Sequence, residues 1–276
     1  MNELDLLRKK TGMTIAKAWM LMATTIVIFI LDNTAFKLLI NSKTISIKNF
    51  DGATFYFISL FVATFLGCVW GFFINKKQMP FFKNQSLLIW FWCIIIALVW
   101  AYISPVVFDI LPMNIPKQKN PESLEIGSFF SLTSLLLFII LQIGIIGNGL
   151  LKNYALRQAI FTIMAVGIVM LNPIAVISIA FQTLFLFYIY YRTAAFQLPI
   201  FMVFIFGALE EILPLYFDAN YSTNYIRNYF IQNNSVYYIG LVVCVSLIIG
   251  GLYYIKTHTK LIEWQRPEED ENIEFL

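Results

Sequence analysis

The feature that most constrains this chain is a succession of apolar runs, each close to 20 residues long. None of the runs 53–74, 86–107 and 128–149 holds an Asp, Glu, Lys or Arg. A hydrocarbon core of about 30 Å needs roughly 20 such residues per helix, and within it every backbone amide must find its partner inside the segment. Such runs fold as helices across a bilayer. We place about eight, near 15–34, 53–74, 86–107, 128–149, 155–171, 174–191, 197–216 and 236–255. The expected fold is therefore all-α, a polytopic membrane helix bundle with about eight transmembrane helices. Composition closes the soluble alternative: 59% of the residues are hydrophobic and 13% charged, against about 45–50% and 25% in a soluble domain. The first run is interrupted by Lys17, Asp32 and Lys37. No small-residue cleavage site follows it, so it reads as a retained anchor rather than a removed signal peptide.

Lysine and arginine in short loops set orientation, because they are retained on the cytoplasmic side. The amino-terminal segment carries Arg8, Lys9, Lys10 and Lys17. The loop after the second run carries Lys76, Lys77 and Lys83, that after the fourth Lys152 and Arg157, and that after the sixth Arg192. The alternate loops are mixed: Lys37, Lys43 and Lys48 stand with Asp32 and Asp51, Lys117 and Lys119 with Asp109, Glu122 and Glu125, and Arg227 with Asp218. Both termini are thus expected in the cytoplasm. Lys256 and Lys260 lie beside the bilayer, followed by the solvated acidic run Glu268, Glu269, Asp270 and Glu271. The formal net charge of +3 is accounted for by topology, and no nucleic-acid partner or Walker-type phosphate loop is expected.

Histidine and cysteine limit the chemistry further. The chain has one histidine, His258, and three cysteines, Cys68, Cys93 and Cys244, all within apolar runs. Metal ligation needs several such groups to converge. No metal site and no cofactor are expected, and the cysteines read as small residues facing neighbouring helices.

From about Gln142 to Gly207 the chain reads GIIGNGLLKNYALRQAIF, then AVGIVMLNPIAVISIAFQTLFLFYIYYRTAAFQLPIFMVFIFG. Pro173 lacks an amide proton and biases Asn172 away from helix, so the flanking runs must be separate antiparallel helices. The order and spacing of Leu171-Asn172-Pro173, Tyr191-Arg192-Thr193 and Leu198-Pro199-Ile200 resemble the core of the CPBP family, the CAAX-protease and bacteriocin-processing (Abi) intramembrane proteins. This resemblance implies a region 128–255 of CPBP-like core helices, preceded by the helices of 1–127 and followed by a cytoplasmic tail, 256–276.

In that family glutamates and histidines are understood to activate a water inside the membrane, chemistry that requires a general base and groups to stabilise an oxyanion. Carried over position by position, the glutamate pair falls on Ile143 and Gly144, and the arginine of the Arg-Gly step on Asn148. The FxxxH step falls on Val166 and Met170, and the HxxxN step on Val203 and Gly207. All these positions are apolar, glycine or amide. His258 lies about 50 residues past the last of them, so no shift of register supplies two intramembrane histidines. The resemblance implies the fold and a pseudoprotease.

Polar residues inside spans are costly and mark candidate contacts. Gln142 and Asn148 lie among Gly144, Gly147 and Gly149, where close packing through small residues allows amides to bond across helices. Glu210 and Glu211 sit far along the seventh run. Adjacent residues on a helix point about 100° apart, so they form no carboxylate dyad without a bend at Pro214, and a structural or partner contact is expected of them. Tyr221, Tyr225 and Tyr229 are spaced by four in the following loop. They read as an interfacial anchor or as a docking stripe for an extracytoplasmic partner. Gly67 with Gly71, and Ser246 with Gly250, are small-xxx-small steps expected to mark helix contacts within the chain.

The leading expectation is a non-catalytic scaffold or regulator in a bacterial plasma membrane. It would bind a membrane or cell-envelope protein, such as a cell-wall enzyme or sensor, or give bacteriocin immunity. The alternative is an active CAAX-type intramembrane endopeptidase with a non-standard set of acids. A transporter with a Gly-interrupted fourth span is the weaker third option, since the two halves of the chain show no repeat.

Overall fold

A computed structural model describes residues 13–41, 52–75, 80–110, 126–170, 176–216, 234–260 and 264. All regular structure among them is helical. The helices are α1 (Ile15–Asn41), α2 (Gly52–Ile74), α3 (Leu87–Ile110), α4 (Ile126–Ile139), a π-helical segment (Ile140–Gly147), α5 (Asn148–Leu151), α6 (Leu156–Met170), α7 (Val176–Thr193), α8 (Gln197–Tyr216) and α9 (Asn234–His258). Because α4, the π segment and α5 are continuous, each of the eight apolar runs in the sequence becomes one helical rod.

Four rods are long and apolar enough to cross a membrane: Ile15–Leu39, Thr54–Ile74, Gly127–Leu151 and Tyr238–His258. Shorter apolar helical stretches cover Leu87–Ala101, Leu156–Val166 and Gln197–Leu209. Outward faces carry large apolar side chains, among them Leu31, Trp70, Phe91, Val242 and Ile249. An unpartnered surface of this kind is lipid-facing, and the chain is an integral membrane protein.

Two boundaries differ from the sequence expectation. The first rod continues past residue 34 to Asn41, since no Gly or Pro interrupts 35–41 and Thr34 bonds back to Ile30 O at 2.7 Å. The fourth run is not a uniform α-helix. Its middle widens so that the Asn148 amide donates to Ile143 O, a five-residue step, and also to Ile145 O.

The π segment lies at the centre. It packs against α2, α6 and α7 as well as its own continuations α4 and α5, and Leu141 to Gly147 are all buried. Around it, α1 pairs with α2, α2 with α4, α6 with α7, and α3 with both α8 and α9. The pairing of α6 and α7 is the separation expected at Pro173, although Leu171, Asn172 and Pro173 themselves lie outside the described residues.

Glycines decide two of these contacts. A Cβ on Gly67 would come within 2.6 Å of Thr25 Oγ1, and one on Gly71 within 2.8 Å of Leu21 and 3.0 Å of Ile145. The Gly67 and Gly71 step thus joins α1, α2 and the π segment through close backbone approach, the usual basis of helix association in lipid. Ser246 and Gly250 correct the parallel expectation. Nothing lies within 4 Å of a Cβ on Gly250, and Ser246 is exposed with its hydroxyl bonded back to Val242 O at 2.7 Å. This step faces outward because α9 turns its opposite side, Gly251 and Ile255, toward the bundle.

One end of the bundle is stitched by polar contacts. Asn153 Nδ2 donates to Met13 O at 2.9 Å, tying the start of α1 to the loop after α5. The Lys83 amide donates to Ala194 O at 3.1 Å and the Phe196 amide to Phe81 O at 2.9 Å, pairing the loops before α3 and α8. Arg192 Nη2 donates to Lys256 O at 2.5 Å and Thr259 O at 2.7 Å, capping the last turn of α9 with a cation where the helix dipole favours one. Trp264 Nε1 donates to Tyr191 O at 3.0 Å, and its ring rests against Phe81, Tyr190 and Tyr191. Lys17, Lys83, Lys152, Arg157, Arg192, Lys256 and Lys260 gather at this end, and no described acidic residue joins them.

Replacing Gly71 by Val should cost about 1–3 kcal/mol through overpacking against Leu21 and Ile145. Gly250→Ala should leave stability unchanged; thermal unfolding of both variants in detergent measures the contrast.

Candidate functional site

The carried-over motif positions converge on the π segment and its neighbours. Ile143, Val166 and Val203 come from the π segment, α6 and α8, are fully buried, and belong to one continuous apolar cluster. Gly144 and Gly207 are buried as well. A Cβ on Gly144 would stand 2.7 Å from Phe196 Cζ, and one on Gly207 2.6 Å from Leu132 Cδ1. Gly147, in the same segment, is held equally close by Phe187 at 2.7 Å. The space that a glutamate at Gly144 would need is occupied by the ring of Phe196, and that of a side chain at Gly207 by Leu132 and Leu135 of α4. Met170 ends α6, and its side chain lies outside the described residues.

Two polar arrangements border this apolar centre. Gln142 is fully buried; its Nε2 donates to Ile163 O on α6 at 3.0 Å and to Thr183 Oγ1 on α7 at 3.2 Å. Its Oε1 is buried without a partner among the described residues. Both bonds link the π segment to the pair of helices separated at Pro173, so the amide fixes how that pair sits against the widened turn.

Nearer the basic end, Tyr190 Oη donates to Asn148 Oδ1 at 3.1 Å and accepts from the Phe81 amide at 3.2 Å. Asn75 Nδ2 donates to Ile145 O at 3.3 Å, taking up a carbonyl of the widened turn. A π turn is rare and occurs most often at functional positions. Here its backbone is served by Asn75 and its glycines by aromatic rings, an arrangement suited to holding shape. It presents no ionisable side chain that could act as a general base. Among the described residues no group of three His, Cys, Asp or Glu could hold a metal ion.

Glu210 and Glu211 fall on α8, but their side chains lie outside the described residues, as do Tyr221, Tyr225 and Tyr229. Sequence reasoning missed Asn75, Tyr190, Phe187 and Phe196. The Gly144, Gly147 and Gly149 series signals close approach at this point, but the rings seated on Gly147 and Gly144 lie 40 and 52 positions away and carry no local signature.

Compared with protein-family models, characterised proteins and solved structures, the chain matches none. Its functional reading therefore rests on its own residues.

Gly144→Glu should lower stability by at least the about 1–3 kcal/mol of an overpacked core without creating peptidase activity. Tyr190→Phe removes the bond to Asn148 and strands the Phe81 amide, and should cost about 1–3 kcal/mol. Denaturation midpoints in detergent and a peptide-cleavage assay check both.

Proposed function

We propose that this chain is a non-catalytic scaffold or regulator of a bacterial plasma membrane, built on a CPBP-protease-like framework and binding another envelope protein. In this reading it crosses the membrane about eight times. Its basic end, which gathers Lys83, Lys152, Arg192 and Lys256, faces the cytoplasm together with both termini, as the retention of Lys and Arg on that side requires.

The observation that carries the proposal is the filling of the motif positions. Ile143, Val166 and Val203 are buried apolar residues in one cluster, and Gly144 has an aromatic ring of Phe196 against it. Water activation needs a tunable acid or base beside a space for the scissile bond, and this centre offers neither. What it offers is a rigid hub onto which several helices pack. A membrane protein whose described centre is closely packed and apolar is suited to holding a partner such as a cell-wall enzyme or a sensor, or to giving immunity against a bacteriocin.

Purified protein in proteoliposomes should leave a farnesylated or plain CAAX-type peptide intact. Cross-linking in native membranes should recover one partner at fixed stoichiometry. Cleavage above a protein-free control that is lost in Glu210→Gln or Glu211→Gln would transfer the assignment to a peptidase; recovery of the protein alone would sink the scaffold.

A further inference from the structure

Along one face of α9, apolar, aromatic and cationic side chains follow one another in the order in which a phospholipid presents its parts. Val242, Ser246, Ile249, Tyr253 and Lys256 recur at alternating steps of four and three, so they share one helix face. All five are exposed, with Val242, Ile249 and Tyr253 at 67, 62 and 65%. The opposite side is the one that packs: a Cβ on Gly251 would meet Trp92 and Ile96 at 2.9 Å, and Ile255 is fully buried. Lys260, also exposed, follows one turn after Lys256, just past the helix end.

The stripe has the length of one leaflet. From Val242 to Tyr253 is 11 residues (253 minus 242), about 16 Å along the axis and half of a core of about 30 Å. With Tyr253 at headgroup level, where interfacial rings settle, Lys256 and Lys260 stand beyond it at the depth of phosphates. The apolar part accepts a hydrocarbon chain without an unmet polar group. Ser246 Oγ donates to Val242 O at 2.7 Å, and nothing lies within 4 Å of a Cβ on Gly250. The cationic part is held in place, because Arg192 Nη2 donates to Lys256 O at 2.5 Å and Thr259 O at 2.7 Å and so anchors this turn to α7.

We propose that this stripe seats one anionic phospholipid of the leaflet at the basic end, with an acyl chain along Val242, Ser246 and Ile249 and the phosphate at Lys256 and Lys260. Charge selects the headgroup. In a zwitterionic lipid the phosphate carries its own ammonium, whereas in an anionic one its charge is left to the lysines, and lysines beside the bilayer draw anionic lipids. Charge also decides against the competing occupant, a second copy of the chain. Ser246 and Gly250 are small enough to admit a helix, but parallel pairing of two such stripes would set Lys256 against Lys256, and like charges so juxtaposed oppose association.

The test is native mass spectrometry of the full chain released from nanodiscs holding equal amounts of phosphatidylglycerol and phosphatidylethanolamine. Wild type should appear as a monomer that retains phosphatidylglycerol in preference, by about tenfold. The double variant Lys256→Gln, Lys260→Gln should bring the two lipids close to parity. Arg157→Gln, which removes an exposed cation of the same end from α6, should leave the preference unchanged. Excess glycerol phosphate, which has the phosphate but no acyl chain, should not displace the lipid. Equal retention of the two lipids by wild type, an unchanged preference in the double variant, an equal loss in Arg157→Gln, displacement by glycerol phosphate, or a dimer that persists without lipid would overturn the proposal.

Discussion

The whole bundle depends on one helix that passes through its middle without a charge. A buried rod in lipid must satisfy its backbone internally, and the π segment does so while widening to a five-residue step. The wider turn is tolerable because its neighbours are shaped to it. Gly144 and Gly147 admit the rings of Phe196 and Phe187 to van der Waals distance, and Asn75 takes the carbonyl of Ile145. Remove the glycines and the rings from α7 and the loop before α8 have nowhere to sit. Without the rings, the glycines leave a void. The centre is thus defined by mutual fit between small residues on one element and large ones on others, and close packing supplies the association that hydrophobicity cannot supply between helices already in lipid.

The bundle's two kinds of surface follow from that centre. Helices that touch the hub on one side turn their other side to lipid, which is why α9 can present Ser246 and Gly250 outward while Gly251 packs against Trp92 and Ile96. Polar side chains concentrate where helices end. At the basic end nearly every contact between loops runs through an amide or guanidinium donating to a carbonyl, with Ala194 in the left-handed region at φ 47° to turn α7 into α8. Such an end resists rearrangement more than the lipid-facing middle does, because each bond there is directional.

How much of this was legible in the sequence differs by level. The helical class and the membrane setting were legible because twenty apolar residues in a row have few physical alternatives. Pro173 announced a helix break, and Gly67 with Gly71 announced a close contact. The same small-residue rule misdirected at Ser246 and Gly250, because spacing gives the face but not what lies opposite. The widened turn was not legible at all: ILQIGIIG reads as ordinary helix, and the residues packed on the turn, Asn75, Phe187 and Phe196, are distant in sequence. At the centre, the absence of ionisable residues could be read directly, whereas the rings that fill it could not. The polar end was half legible, since Arg192 was placed at a boundary by its charge, but its bonds to the end of α9 depend on tertiary position.

The clamp between Arg192 and α9 has a temporal meaning. Arg192 lies in a helix made well before α9, and the carbonyls it holds, at Lys256 and Thr259, are among the last of the described chain to emerge. Trp264 reaches the rings of Tyr190 and Tyr191 later still. During synthesis the guanidinium therefore waits at the membrane surface without these partners, and the aromatic patch stays open. A nascent chain halted before α9 would lack this clamp together with the packing of α9 against α3, so the clamp closes only once α9 has docked.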